Sequence, residues 1–237
     1  MQPQSFSFNL VLATRNAHKA GEIQTILGAD IRCLTLNDFP DAPNVVEDAP
    51  TFAGNATKKA VALARWLGNM PAANHDSRLF VLADDSGLEV DALNGAPGVH
   101  SARYAALDAA RSGNSPDTDN NAKLLRLLKD VPPERRTARF RCVLALTPVS
   151  ENNVQSASPV CSADERELLT ELFEGACEGR IGYEPKGAGG FGYDPLFLPE
   201  GFEETFAELG EAVKNQLSHR SKALAKLRVR LDGLGAQ

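Results

Sequence analysis

The opening of the chain constrains the fold most. Phe6–Thr14 (FSFNLVLAT) holds a short apolar run bounded by polar residues, the pattern of a buried strand. After a brief polar turn, Lys19–Leu27 places apolar residues at helical spacing, and Gly28 supplies a stop. Ile31–Thr35 suits a second strand. Strand, helix and strand in succession make a βαβ unit, which commits the chain to an α/β fold.

The remaining segments fit that class. Ala-rich Thr51–Leu67 predicts a helix entered from Pro50 and Thr51. Arg78–Ala83 (RLFVLA) predicts another buried strand that runs straight into Asp84-Asp85-Ser86-Gly87, after which Leu88–Leu93 resumes an extended pattern. Asn94–Gly98 is a loop by composition, Asn121–Val131 a helix and Thr137–Leu146 a strand. Polar, Ser-rich Val149–Glu165 is expected to be a surface excursion. Leu168–Tyr183 regains strand character, and Gly187–Pro195 (GAGGFGYDP) must turn tightly. Lys214–Leu234 predicts one long amphipathic helix, basic on its exposed face. There is no internal repeat and no linker long enough to separate independent domains, so residues 1–237 suit one α/β domain or two closely packed lobes sharing a sheet.

Charge and cysteine usage exclude several classes. The net charge is −6, which argues against broad contact with a nucleic-acid backbone while leaving room for a basic pocket that takes one polyphosphate. The four cysteines, Cys33, Cys142, Cys161 and Cys177, form no CxxC pair and have no histidine at zinc spacing. They suit reduced thiols in a cytoplasmic protein. Met1–Phe8 lacks the charge-then-apolar pattern of a signal peptide, and no apolar run approaches the ~20 residues of a membrane span.

Five segments could carry chemistry. Thr14-Arg15-Asn16-Ala17-His18-Lys19 joins a strand to a helix, where unpaired backbone N–H groups and a partial positive charge suit phosphate oxygens. Lys19 adds a point charge, although Thr and Asn are also ordinary N-caps. Two adjacent acids at Asp84-Asp85 are costly beside a buried strand unless something compensates. A hard divalent cation such as Mg²⁺ is the usual compensator; the alternative is an acidic turn, since Asp-Ser-Gly is good turn chemistry. Glu47-Asp48 alone reads as a solvated pair and gains weight as a partner for Asp85.

In Gly189–Pro195, three glycines around Phe191 and Tyr193 let the backbone pass close to a flat ligand, and an exposed ring can stack on a base. The competing reading is a tight turn with core aromatics. Lys214–Arg220 (KNQLSHR) offers cationic donors for an oxo group or a phosphate. Its adjacent Ser218-His219 is not a hydrolytic pair, and no GxSxG elbow is present.

Taken together and in order, these motifs resemble the inosine triphosphate pyrophosphatase family, the non-standard purine NTP pyrophosphatases. The resemblance runs from Val11 to about Leu227. It rests on TxNxxK at Thr14–Lys19, TF…NA…KA at Thr51–Ala60, ADDSGLEVDALNGAPGVHSARYA at Ala83–Ala105, GGFGYDPLF at Gly189–Phe197 and AEL…KN..SHR at Ala207–Arg220. The resemblance implies an elongated mixed β-sheet flanked by helices, two lobes with a cleft between them, and a homodimer.

It further implies hydrolysis of ITP, dITP or XTP to the monophosphate and pyrophosphate with Mg²⁺. In that reading Asp85 is general base and magnesium ligand, and Glu47 is the second metal carboxylate. Thr14, Arg15, Asn16, Ala17, His18 and Lys19 hold the triphosphate with help from Lys214. Ser86, Phe191, Gly192, Tyr193, Asp194, His219 and Arg220 bind substrate. Two departures stand out: many members carry Glu where this chain has Gly54, and the 149–165 segment is longer than usual. Two other readings share the same residues, a hydrolase for other modified NTPs and a nucleotide-binding protein that has lost catalysis.

Overall fold

The computed structural model describes residues 8–70, 78–109, 113–149 and 165–235. Six strands form one mixed sheet in the order β2-β1-β3-β4-β5-β6. β1 (Phe8–Leu12) lies parallel to β2 (Arg32–Thr35) and to β3 (Arg78–Val90), with α1 (Ala17–Leu27) as the crossover. This is the expected βαβ unit. β1 and β3 are buried at Leu10, Val11, Leu12, Val81 and Leu82, as their uninterrupted apolar runs require, whereas β2 is exposed or half-buried. β4 is Thr137–Pro148, β5 is Glu171–Ile181 and the short β6 is Phe197–Pro199, antiparallel to β5. The helices are α2 (Phe52–Gly68), α3 (Asp117–Leu127), α4 (Glu165–Leu168), α5 (Phe206–Leu217) and α6 (His219–Gly235). Among the described residues no helix is long and apolar enough to cross a membrane.

The chain divides into two compact units. The first comprises residues 1–85, 143–173 and 224–237, and the second comprises 86–142 and 174–223. In the first, α2 packs through Ala56, Ala60, Leu63 and Ala64, which recur at helical spacing and are all buried. Thr51 caps this helix by accepting a hydrogen bond from the Gly54 amide. In the second, Leu88, Val90, Leu124, Phe140, Tyr193, Phe197 and Phe206 share one core. Phe140 and Phe197 have ring centroids 4.7 Å apart, and Phe197 and Phe206 5.3 Å.

Two expectations and one alternative reading need correction. Asp84–Gly87 is not a turn: β3 runs through it for 13 residues, because Leu88 and Val90 beyond it are core positions. The long C-terminal helix is two helices. Ser218 is extended (φ −66°, ψ 158°), and its Oγ accepts the Ser221 amide, so it ends α5 and caps α6. Lys214 therefore sits in the last turn of α5, while His219 and Arg220 open α6. The strand predicted over Leu168–Tyr183 begins only at Glu171, after α4. The Val149–Glu165 excursion lies outside the described residues apart from its two ends, as does Met1–Ser7.

Arg136 shows how the second unit resolves a buried charge. It is 2% exposed, and its guanidinium donates to the carbonyls of Ile181 (3.0 Å), Leu128 (3.1 Å) and Gly182 (2.7 Å). Its Cζ also lies 4.1 Å from the centre of the Tyr183 ring. Arg136→Met keeps the length of the side chain but leaves those carbonyls without a donor. It should lower unfolding free energy by about 2–4 kcal/mol in denaturant titration; a change below about 0.5 kcal/mol would show that the three bonds contribute nothing net.

Candidate active site

β1 ends at Leu12, paired with Leu82 of β3. Asp84 and Asp85 therefore lie just past the carboxyl end of β1, the usual place for ligands in a sheet with parallel strands. Consecutive strand residues face opposite ways, and the two acids have different partners accordingly. Asp84 Oδ1 accepts a 2.7 Å hydrogen bond from Lys19 Nζ on α1. Asp85 Oδ1 lies 3.8 Å from Lys59 Nζ on α2, which is also 3.3 Å from Glu47 Oε1 and donates to the Asp84 carbonyl at 2.8 Å. Glu47 and Asp85 thus flank one ammonium. Lys59 was not among the residues singled out from sequence; its signal was the KA of the TF…NA…KA pattern.

Both acids are buried. Asp85 Oδ2 and Asn55 Nδ2 are both buried outside regular hydrogen-bond geometry, although the Asn55 amide still acts to lower the Asp85 pKa; Asn55 Oδ1 accepts the Ala49 amide at 2.9 Å. Burial pushes the Asp85 carboxyl up to about 6, against the pull of Lys59 and Lys19 and with a smaller push from Glu47. Asp48 points elsewhere and pairs with Lys58. Among the described residues no three Asp, Glu, His or Cys gather into a group able to hold a metal unaided. The pair Glu47 and Asp85 is a hard-oxygen donor set. It suits a magnesium ion that takes its other ligands from water and phosphate.

The Thr14–Lys19 turn is a capped helix start. Asn16 Oδ1 accepts the amides of His18 (2.9 Å) and Lys19 (3.1 Å), and Thr14 Oγ1 accepts the Asn16 amide at 3.0 Å. The capping reading of these side chains is therefore realised. Arg15 reaches the Asn44 side chain at 2.9 Å and the Ala42 carbonyl at 3.0 Å. Ala17 and His18 form the exposed first turn of α1. At Gly54 the place a Cβ would occupy is 2.8 Å from the Ala49 Cβ and 3.1 Å from Thr51 Oγ1, so a side chain there requires those groups to shift.

The second unit gathers a different set. Asp194 is buried, and its Oδ2 accepts the Phe191 amide at 2.9 Å and Lys214 Nζ at 2.7 Å. Lys214 Nζ lies 4.3 Å from the centre of the Phe191 ring, and Arg220 Cζ lies 6.0 Å from it. Arg220, 1% exposed, donates to Ser86 Oγ at 3.0 Å. His219 stacks on Phe140, with centroids 4.8 Å apart and planes 13° apart. The close approach of α6 to β5 that places His219 depends on Gly175, where a Cβ would stand 2.0 Å from the His219 carbonyl. Tyr193 is a core residue whose hydroxyl donates to the Ser101 carbonyl at 2.9 Å. For Tyr193 the core reading prevails over base stacking.

Comparison with known proteins gives the chain's family. The sequence pattern of the Ham1 family matches residues 10–230. A dITP/XTP pyrophosphatase of Desulforamulus reducens is 46% identical over 218 residues, 92% of this chain and 92% of that protein. One from Geobacter sulfurreducens is 46% identical over 229 residues, 96% of this chain and 97% of that protein. Among solved structures, a HAM1 protein from Coxiella burnetii matches with a TM-score of 0.74 at 36% identity, covering 95% of this chain and 99% of that one. A nucleoside-triphosphatase, dITP/XTP pyrophosphatase, from Mycobacterium abscessus matches with a TM-score of 0.65 at 36% identity, over 92% of this chain and 98% of that one. Likeness this high over almost the whole length carries the family as well as the fold: the chain belongs to the Ham1 family.

Proposed function

We propose that this protein hydrolyses dITP, XTP and ITP to the nucleoside monophosphate and pyrophosphate, removing non-standard purines from the nucleotide pool. The observation that carries the reading is the Glu47–Lys59–Asp85 cluster, in a chain 46% identical to a dITP/XTP pyrophosphatase over 92% of its length. A water oxygen attacks the α-phosphorus, the bond from that phosphorus to the bridging oxygen breaks, and pyrophosphate leaves. Asp85 takes the proton from the water; a carboxylate whose pKa burial has raised is a stronger base than a solvated one.

Glu47 and Asp85 would hold magnesium, which when bound supplies neutralisation of charge on the phosphates. Lys59 and Lys19 offer ammonium groups to the phosphate oxygens, as does the start of α1. Lys214, paired with Asp194, is assigned the same charge on the leaving pyrophosphate. Phe191 supplies a face for the base. Gly192, Tyr193 and Asp194 shape the loop that carries it, and His219, stacked on Phe140, borders the aromatic cluster. Arg220, held by Ser86, donates to the oxo group at purine position 6. Adenine presents a donor there, leaving the guanidinium unpaired at a cost of roughly 1–3 kcal/mol. We take the protein to act as a cytoplasmic homodimer, in keeping with the family resemblance and with Cys33, Cys142 and Cys177 being free thiols.

Incubation with magnesium and ITP, XTP, dITP, GTP and ATP separately should give pyrophosphate from the first three. Orthophosphate as the product, or no turnover, overturns the reading. Asp85→Asn should reduce kcat by about 100-fold or more. The same variant carries a stability signature. An acid whose folded pKa is raised weighs against the fold once ionised, so the penalty is complete above about 6 and vanishes below the ordinary value of 3.8. In metal-free protein at pH 7, Asp85→Asn should therefore melt at or above the wild-type temperature, and the difference should fade towards pH 4. A variant less stable than wild type at pH 7 would contradict an uncompensated carboxylate. Arg220→Ala should narrow the ITP-over-ATP preference in kcat/KM by about tenfold; an unchanged ratio would move recognition to another residue.

A further inference from the structure

The loop that carries Phe191 is gripped at the next residue by helix α3. The Gly192 amide donates to Asp117 Oδ2 at 2.7 Å, and the Gly192 carbonyl accepts from Asn121 Nδ2 at 3.0 Å. Asp117 and Asn121 are one helical turn apart, on the same face of α3. Gly192 has φ +64°, the left-handed conformation that an L side chain rarely adopts. Both polar groups of one peptide-flanked residue are thus taken by a single helix, one of them through a charge-assisted bond.

α3 is itself anchored. Leu124 is fully buried, Asn120 Oδ1 accepts the Ala105 amide at 2.8 Å, and Lys123 donates to the Tyr104 carbonyl at 2.7 Å. On the far side of Gly192, Tyr193 is tied to Ser101. Asn121 is 7% exposed and its Oδ1 has no hydrogen-bond partner, while its Nδ2 is directed at the Gly192 carbonyl.

From this we infer that Asp117 and Asn121 are positioning residues for substrate selection: by fixing Gly192 they set the pose of the adjoining Phe191 ring against the purine base. They do not touch the reacting atoms. Asp117 lies on the protein surface, where a plain packing role is weakest, and yet it makes the shorter of α3's two bonds to Gly192. The inference rests on the pyrophosphatase reading of the same protein, and it predicts a change in base recognition that leaves the phosphate chemistry intact.

The test is steady-state kinetics of the full chain with saturating magnesium on dITP, XTP and dATP, alongside thermal melting. Asp117→Ala and Asn121→Ala should each raise KM for dITP by about tenfold, the effect of losing one strong hydrogen bond in binding, with kcat within about threefold. The dITP-over-dATP ratio should fall by about fivefold or more. Asp117→Asn keeps an acceptor for the Gly192 amide and should restore most of the KM. Asn121→Asp sets a carboxylate oxygen against the Gly192 carbonyl and should be as impaired as Asn121→Ala. Unchanged KM and ratio in the alanine variants overturn the inference. So does an equal loss on all three nucleotides, or a failure of all four variants to fold, since the contact would then serve the fold alone. A wild-type protein inert on dITP and XTP overturns the pyrophosphatase reading instead, so the two failures are distinguishable.

Discussion

Two neighbouring acids buried on one strand set the terms for the first unit. Asp84 and Asp85 are each at most 6% exposed, and placing two carboxylates there costs several kcal/mol unless cations answer them. α1 brings Lys19 to Asp84, and α2 brings Lys59 to Asp85 and Glu47. The order β2-β1-β3 and the helix starts are what deliver those two lysines. Asp84 is answered directly by Lys19, whereas Asp85 lies 3.8 Å from its lysine, has a second oxygen outside regular hydrogen-bond geometry, and has its pKa raised by burial. A group left short of compensation in the folded protein is one that a bound cation or a water proton can satisfy, and this is the sense in which the fold prepares a function.

The second unit uses aromatic and cationic groups in place of paired acids. Asp194 works there as an internal strut, accepting from the Phe191 amide and from Lys214 at once. Gly190 allows this: the position of a Cβ on it would lie 2.3 Å from Asp194 Oδ2. The same loop is tied to α3 through Gly192 and to the core through Tyr193, so a flexible-looking glycine segment is fixed at three successive residues. Rigidity of this kind favours selection by shape and hydrogen bonding, because a misfitting base cannot be accommodated by loop movement.

Much of this was legible in the sequence. The βαβ opening follows from the alternation of continuous apolar runs with helical spacing, and α2 from its Ala-rich face and Thr51 cap. Asp85 and the Thr14–Lys19 turn were readable as motifs, whereas Glu47 took on a metal role only through the family resemblance. What was not legible has physical causes. Ser218 breaks the C-terminal helix because its hydroxyl competes for a backbone amide, a local choice that hydrophobic periodicity does not register. Asp84–Gly87 reads as turn chemistry, but burial of Leu88 and Val90 overrides that local preference and keeps the strand going. Lys59 hides in an ordinary helix, since only the packing of α2 reveals that its ammonium lies between two acids 38 residues apart in the chain. Asp117 and Asn121 look like routine polar positions at a helix start until the Gly192 loop is placed against them.

The central claim is that the carboxylate and lysine cluster directs water to the α-phosphorus. Hydrolysis of dITP in ¹⁸O-labelled water, followed by mass spectrometry of both products, tests it directly. The account requires the label in the nucleoside monophosphate and none in the pyrophosphate. Label in the pyrophosphate would mean that water attacks the β-phosphorus, and the assignment of the cluster to the α-phosphorus would be wrong.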